Sequence, residues 1–398
     1  MRLLLTLLIA YVWIIPAQAH KLLLVRPEQV GINGQHLHYA DSAIQQAIQD
    51  SIIPGAVLAV VRHGKMAYLK AYGNKRIYPA TEKMTTETIF DLASCSKAVS
   101  TAVSTMILID QGKIRLLDPV NYYLPGFKNA TDKSGKSKTI RIINLLTHTS
   151  GLPPYAPVEE LRKKYGSPNP EGLMTYISNC PRNFAPGEDM DYSCLNYVTL
   201  QHIIETVSGE SLKDFAFNHI FKPLSMTHTM YQPDKKWFSL IAPTEKQKDG
   251  SVLWGVVHDP LARVMNGGVS GNAGLFSSAT DLGIFVAMLQ NKGEWNGKRI
   301  LSPLAVKAMR SVPSSLQLFG RSLGWDLYSP YASNNGDLFG KNTYGHTGYT
   351  GTSLVIDPDT DTAVILLTNA VHPVDGPHNV VRLRSLISNI VAGSITGP

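Results

Sequence analysis

Ser94-Cys95-Ser96-Lys97 opens an apolar stretch that continues through Val99, Val103, Met106, Ile107 and Ile109. On a helix, positions three apart share a face, so the Lys97 amine can lie over the Ser94 hydroxyl. A serine beside an amine able to accept its proton is an activated nucleophile and needs no histidine. Ser-x-x-Lys pairs also arise by chance, mostly on solvated helix faces. Here Ile89-Phe90-Asp91-Leu92-Ala93 leads in and an apolar helix follows, which buries the lysine stem. Free lysine, with a pKa of about 10.4, is no base at neutral pH, whereas desolvation lowers that value. The pattern therefore predicts a poorly hydrated, uncharged Lys97.

Such a pair needs a second proton carrier. Asp191-Tyr192-Ser193-Cys194 stands directly before the helical pattern Tyr197, Leu200, Ile203, Ile204 and Val207. Loops at helix entrances often carry functional groups. Tyr192 can relay a proton to a leaving group, although alone it reads as an ordinary core-edge phenol. A third segment, Tyr344-Gly345-His346-Thr347-Gly348-Tyr349-Thr350-Gly351, precedes the strand-like Thr352–Asp357. Its small residues let a substrate backbone approach an edge strand closely.

Taken in order, Ser94-x-x-Lys97, Tyr192-Ser193-Cys194 and His346-Thr347-Gly348 resemble the serine β-lactamase and penicillin-binding-protein superfamily. The branch is that of class C β-lactamases, DD-carboxypeptidases and esterases. Leu117-Asp118-Pro119-Val120, Tyr123–Phe127, Leu145–Pro153, Trp254–Asp259 and Gly267–Ser277 extend the likeness, the last two towards penicillin-binding protein 4B type carboxypeptidases. The resemblance implies an acylated Ser94, Lys97 as its proton acceptor, and Tyr192 as shuttle to the leaving group. It implies an oxyanion hole from the backbone N–H groups of Ser94 and of Tyr349, placed on the strand after His346-Thr347-Gly348. It implies a substrate carboxylate on His346 and Thr347, beside Gly348, and a substrate amide on the third residue of the tyrosine motif. Two departures stand out. That third residue is Cys194 where the family has Asn, and a thiol is a weak hydrogen-bonding group. His346 replaces a common Lys, which weakens carboxylate attraction at neutral pH and suits a peptidase better than an efficient β-lactamase.

The elements that must position these groups follow from pattern. Residues 36–49 read as a helix; Ala56–Val61 and Met66–Ala71 read as a hairpin across Arg62-His63-Gly64-Lys65. Thr280–Leu289 reads as a helix capped by Thr280 or Asp281, and residues 378–392 as a last helix. Strand-like runs occur at Leu323–Leu327, Thr352–Asp357 and Ala363–Leu367. The expected fold is α/β in the α+β sense: an antiparallel sheet flanked by helices plus an all-helical subdomain, β-lactamase/transpeptidase-like. The sheet lobe would span about residues 20–90 and 290–398, the helical lobe about 112–275, with a cleft between them.

Arg2, the apolar run Leu3–Ile15 and Ala17-Gln18-Ala19 read as a secretory signal over residues 1–19, followed by a single catalytic domain over 20–398. The run is shorter than a spanning helix needs, so no stable membrane span is expected. A secreted, periplasmic monomer follows. Net charge is +7, from 37 basic and 30 acidic residues in small clusters, with no aromatic-interleaved basic motif for nucleic acid. Three cysteines leave an odd one; Cys95–Cys194 and Cys180–Cys194 bridges are conceivable, and buried free thiols are the expected state. His148, His202, His219, His228, His258 and His372 share no metal-ligand spacing, and no P-loop or dinucleotide fingerprint is present, so neither metal nor cofactor is expected. His258-Asp259 is a candidate for the cleft border. The expected substrate is a small peptide, β-lactam or ester. A D-Ala-D-Ala carboxypeptidase-like activity on cell-wall peptidoglycan leads, with class C-like β-lactamase, carboxylesterase and a non-catalytic penicillin-recognising protein as alternatives.

Overall fold

The computed structural model describes residues 22–311, 313–376 and 380–397. The expected signal segment, residues 1–19, lies outside them. Gly55–Arg62 (β1) and Lys65–Arg76 (β2) form the expected hairpin. His63 and Gly64, both at positive φ (51° and 66°), make the two-residue turn whose twist matches the flanking strands. Every residue of β1 is buried, because both sheet faces are covered. Ala56, Leu58 and Val60 meet the helices α1 (Gly34–Gln49) and α5 (Val380–Gly393). Val57, Ala59 and Val61 meet the opposite core, which includes α2 (Val103–Asp110) and α4 (Ala279–Gln290).

The main sheet has six strands. β3 (Glu82–Lys83) follows β2 at one edge, and β7 (Tyr344–Thr347), β8 (Ser353–Asp357) and β9 (Thr362–Thr368) complete it in the order β7-β8-β9-β1-β2-β3. Its pairings are antiparallel throughout. Chain ends thus share one sheet. The buried Arg62 helps join them, donating to the carbonyls of Val30, Gly31, Thr360 and Gly397. A smaller sheet, β4 (Ile89–Asp91), β5 (Met230–Tyr231) and β6 (Leu275–Ser278) in the order β4-β6-β5, leads straight into Ser94. Most helices of the intervening chain pack around α3 (Cys194–Ser208), whose inward face runs through Leu195, Val198, Leu200, Ile203 and Ile204.

Three local expectations change. The cap of α4 is Ser278, whose hydroxyl accepts from the Asp281 N–H, two residues before Thr280 and three before Asp281. Leu323–Leu327 forms no strand; only Asp326 makes bridges, to Arg321 and Gly345. Gly324, at φ 99°, breaks the extended run there. Tyr349 sits in the turn between β7 and β8 rather than on a strand. All three thiols are free, so neither conceivable bridge forms. Among the described residues no helix is long and apolar enough to cross a membrane.

Candidate active site

The turn carrying Ser94 is held on every side. The Leu92 N–H donates to the Leu275 carbonyl at 2.9 Å, continuing the pairing of β4 with β6. Ala93 adopts φ 45°, an uncommon conformation for a residue with a side chain. The buried Asp91 carboxylate stabilises it, accepting from the Ala93 N–H at 2.9 Å and from the His258 N–H at 2.7 Å. Burial pushes the Asp91 carboxyl up, against those two hydrogen bonds. The chain then winds tightly, with Lys97 N–H donating to the Ser94 carbonyl, and Lys97–Ala102 forms a π-helix before α2. Wide turns of this kind recur at functional sites.

Lys97 is fully buried. Its Nζ donates to Ser94 Oγ at 2.9 Å, to the Asn272 carbonyl at 2.9 Å, and to Cys194 Sγ at 3.6 Å. Tyr192 faces it, with Nζ 5.0 Å from the ring centre. The phenol also interacts with the Ser94 hydroxyl. The expected triad is therefore one cluster.

Its protonation differs from the expectation. Burial is the largest influence on Lys97 and disfavours its ammonium, as desolvation requires. Cys194 and Tyr192, when ionised, favour the ammonium, and the balance is an amine raised above its ordinary value. Burial raises the Cys194 thiol and the Tyr192 phenol as well. The three groups titrate jointly, and the useful event is the first proton lost by the cluster. A permanently neutral lysine is not what the geometry holds: the Asn272 carbonyl and the thiol both welcome the charged form.

The tyrosine loop rests on the Leu145–Pro153 segment. Ser193 caps α3, accepting from Leu195 N–H at 3.2 Å, and its hydroxyl donates to the Pro153 carbonyl at 2.5 Å. The Asp191 N–H donates to the His148 carbonyl, and Cys194 N–H to that of Pro154. His148 lies under Tyr192, ring centres 4.4 Å apart, and its Nδ1 accepts from Ser193 N–H at 3.1 Å. Burial, with Arg321 and Lys97 nearby, keeps this imidazole neutral, well below its usual value.

The opposite wall is β7. Thr350 and Thr352 hydroxyls donate to the carbonyls of Asp91 and Leu92 at 2.8 and 3.0 Å, pinning the strand's exit to the nucleophile turn. A Cβ on Gly348 would stand 2.4 Å from the Leu92 carbonyl, so only glycine permits this approach. Among the described residues, neither the Ser94 nor the Tyr349 N–H is given to an acceptor within the fold. Both residues border a cleft of about 430 Å³, together with Tyr192, His346, Thr347 and Gly348.

Two expected substrate-binding residues make other contacts. The partly exposed Cys194 turns its thiol to Lys97, 3.6 Å from Nζ. His346 does line the cleft, but its Nδ1 lies 2.9 Å from the Thr347 carbonyl and so carries the proton. Burial, with Arg321 and Lys97 nearby, holds the ring neutral, well below its usual value. Its remaining nitrogen, Nε2, is then an acceptor, which suits a substrate N–H or O–H and not a carboxylate.

Nothing in the local sequence marks Arg321, Arg384, Asp91 or the Asn272 carbonyl for this site. Arg384 stands in α5 among residues with nothing local to mark it, and Arg321 stands just ahead of the apolar run expected as a strand. Asp259, a candidate for the cleft border, accepts from Tyr155 Oη at 3.0 Å and Asn272 Nδ2 at 3.2 Å, and so steadies the loop that supplies the Asn272 carbonyl.

The family model described as Beta-lactamase matches residues 40–386. The chain belongs to the β-lactamase family. This β-lactamase-family chain is 34% identical to the N-acetylmuramyl-L-alanine amidase of Bacillus subtilis strain 168, over 89% of itself and 86% of that relative. It is 33% identical to a protein of Escherichia coli strain K12 provisionally named a D-alanyl-D-alanine carboxypeptidase, over 88% and 86% of the two chains. Among solved structures it resembles EstCE1, a hydrolase with promiscuous acyltransferase activity, with a TM-score of 0.73 and 25% identity over 90% of this chain and 99% of that one. The protein is a serine hydrolase of this family with the mixed α/β fold that its motifs implied.

Proposed function

We propose that the protein is an exported hydrolase that opens an amide bond of cell-wall peptides through an acyl-enzyme on Ser94, in the manner of a D-Ala-D-Ala carboxypeptidase. The observation that carries this reading is the fully buried Lys97 amine at 2.9 Å from Ser94 Oγ, with Tyr192 facing both across one cleft. In the proposed sequence Ser94 Oγ attacks the scissile carbonyl and its proton enters the Lys97–Tyr192 pair. The C–N bond breaks as Tyr192 returns a proton to the leaving amine. Water, deprotonated by the same pair, then cleaves the ester. The free N–H groups of Ser94 and Tyr349 suit the oxyanion; losing one such donor typically costs about 10²–10³ in rate.

Export to the periplasm rests on Arg2, Leu3–Ile15 and Ala17-Gln18-Ala19. A second reading, cleavage between a muramyl group and L-alanine, is favoured by the Bacillus subtilis relative and by the half-exposed Tyr331 bordering the cleft, whose ring face suits a sugar. Product analysis of purified muropeptides tests both. Free D-alanine above a Ser94→Ala control supports the first. A released peptide with an L-alanine N-terminus supports the second, and neither product rules out both.

A further inference from the structure

A second cavity, of about 400 Å³, shares no lining residue with the cleft. It lies where the end of α4, the short helix Pro303–Met309 and the turn between β8 and β9 meet Tyr344 and Ile356, which pair across β7 and β8. Leu304, Val306 and Ile356 give it an apolar wall. Lys292, Lys307 and Arg310 give it cations, and among the described residues none of the three has a carboxylate within ion-pair distance. The acid among its lining residues, Asp361, already faces His63 Nδ1 at 3.2 Å.

Tyr344 points to what the cavity takes. It is only 3% exposed, and its ring packs edge-on against Trp325 with centres 5.2 Å apart. Among the described residues its hydroxyl has no hydrogen-bond partner. Arg310 and Asp361 both act on that hydroxyl electrostatically, so it stands at the charged part of the wall. Buried polar groups are normally paired, and a phenol can donate to an anion. Three cations against one carboxylate leave a surplus of two positive charges. A phosphate monoester carries about −1.5 to −2 at neutral pH, which matches that surplus.

We propose that this cavity binds a phosphate monoester with a short aliphatic body. The phosphate meets Lys292, Lys307, Arg310 and the Tyr344 hydroxyl, and the body lies on Leu304, Val306 and Ile356. The same chemistry occurs on a soluble alkyl phosphate and at the headgroup of phosphatidic acid. Tyr344 precedes His346 by two residues on β7, so an occupant touches, from outside the cleft, the strand that walls it. The inference rests neither on the reaction at Ser94 nor on a cell-wall substrate.

Calorimetric titration of the purified protein with n-butyl phosphate, inorganic phosphate and n-butanol tests it. Butyl phosphate should bind about tenfold more tightly than inorganic phosphate, the equivalent of two buried methylene groups, and butanol should give no heat. Arg310→Ala and Tyr344→Phe should each weaken butyl phosphate by about ten- to a hundredfold, the span of a hydrogen bond to a charged group. Lys307→Ala, at an exposed helix position that folding does not need, should weaken it in the same direction. Co-sedimentation with vesicles with and without phosphatidic acid separates the two sources. Butyl phosphate binding without lipid preference identifies a soluble ligand; lipid preference lost in Lys307→Ala identifies a headgroup. Affinity for whichever probe binds that survives Lys307→Ala and Tyr344→Phe unchanged overturns the proposal. So does binding of neither probe, or equal affinity for inorganic and butyl phosphate.

Discussion

The two ends of the cleft are built on opposite principles. At the Lys97 end the catalytic amine is fully engaged: it serves Ser94, Asn272 and Cys194, and the tyrosine loop is sewn to residues 148–154 by backbone hydrogen bonds. At the Arg321 end three buried polar atoms, Arg321 Nε, Arg384 Nε and His346 Nε2, have no partner among the described residues. Buried polar groups are normally paired, and exceptions call for an explanation. The contrast separates chemistry from recognition. Proton transfer is prepared in advance by the hydrogen bonds of the Lys97 amine, while substrate binding supplies the bonds that the other end lacks.

Breaking the Lys97 end should cost most. Lys97→Met removes the donor to Ser94 and the proton acceptor together, and kcat/KM for any acyl substrate should fall by about 10³-fold or more, within the usual range for a lost general base. Stopped-flow acylation rates check this. Tyr192→Phe should cost about 10²–10⁴ overall. Because water activation suffers too, a penicillin or thioester adduct should persist longer than in wild type, visible as a slower decay of labelled protein.

The pH dependence sharpens the same contrast. The Lys97–Tyr192–Cys194 cluster must lose its first proton to act, and all three groups are held above their ordinary values. Initial rates should therefore still climb with pH across the neutral range. A plateau reached below neutrality would contradict the shared-proton cluster. Stability should move with pH for a different reason. His148 and His346 are buried neutral, with values well below normal, so the unfolded chain binds more protons than the folded one once pH drops below about 6.5. Stability should fall with acid there, by up to about 1.4 kcal/mol per pH unit for each histidine. Urea midpoints at pH 7 and 5 measure it. His346→Gln should flatten the slope.

The smallest effect concerns Cys194. Substituting Asn, the family's usual residue, removes a titratable thiol that favours the Lys97 ammonium when ionised, and should move the rising limb of the pH–rate profile downward with little change in maximal rate. An upward movement would show that the thiol does not support the ammonium.

How much of this was legible depended on the range of each interaction. Ser94 and Lys97 are joined by helix geometry, so their spacing alone predicted the contact. The hairpin at His63-Gly64 and the outer helices declared themselves through periodicity. The α4 cap was displaced because Ser278 ends a strand and caps a helix at once, and the strand pattern hid it. Arg321 and Arg384 were invisible for a deeper reason. Nothing local marks a charged residue for burial; both are buried by partners distant in sequence, Tyr192 over one and the turn after His346 over the other. Lys97 was expected neutral because its stem is apolar, but its charge answers to Asn272, Cys194 and Tyr192, all far along the chain. His346 was read by residue type alone, while its tautomer is set by the Thr347 carbonyl.

The central claim is that Ser94 becomes covalently acylated with help from Lys97 and Tyr192. Intact-mass spectrometry after incubation with a fluorescent penicillin, followed by peptide mapping, addresses it directly. The account predicts one adduct, on the peptide containing Ser94, absent in Ser94→Ala and strongly slowed in Lys97→Met. An adduct that survives in Ser94→Ala, or none on wild-type protein with either penicillin or thioester, would contradict it.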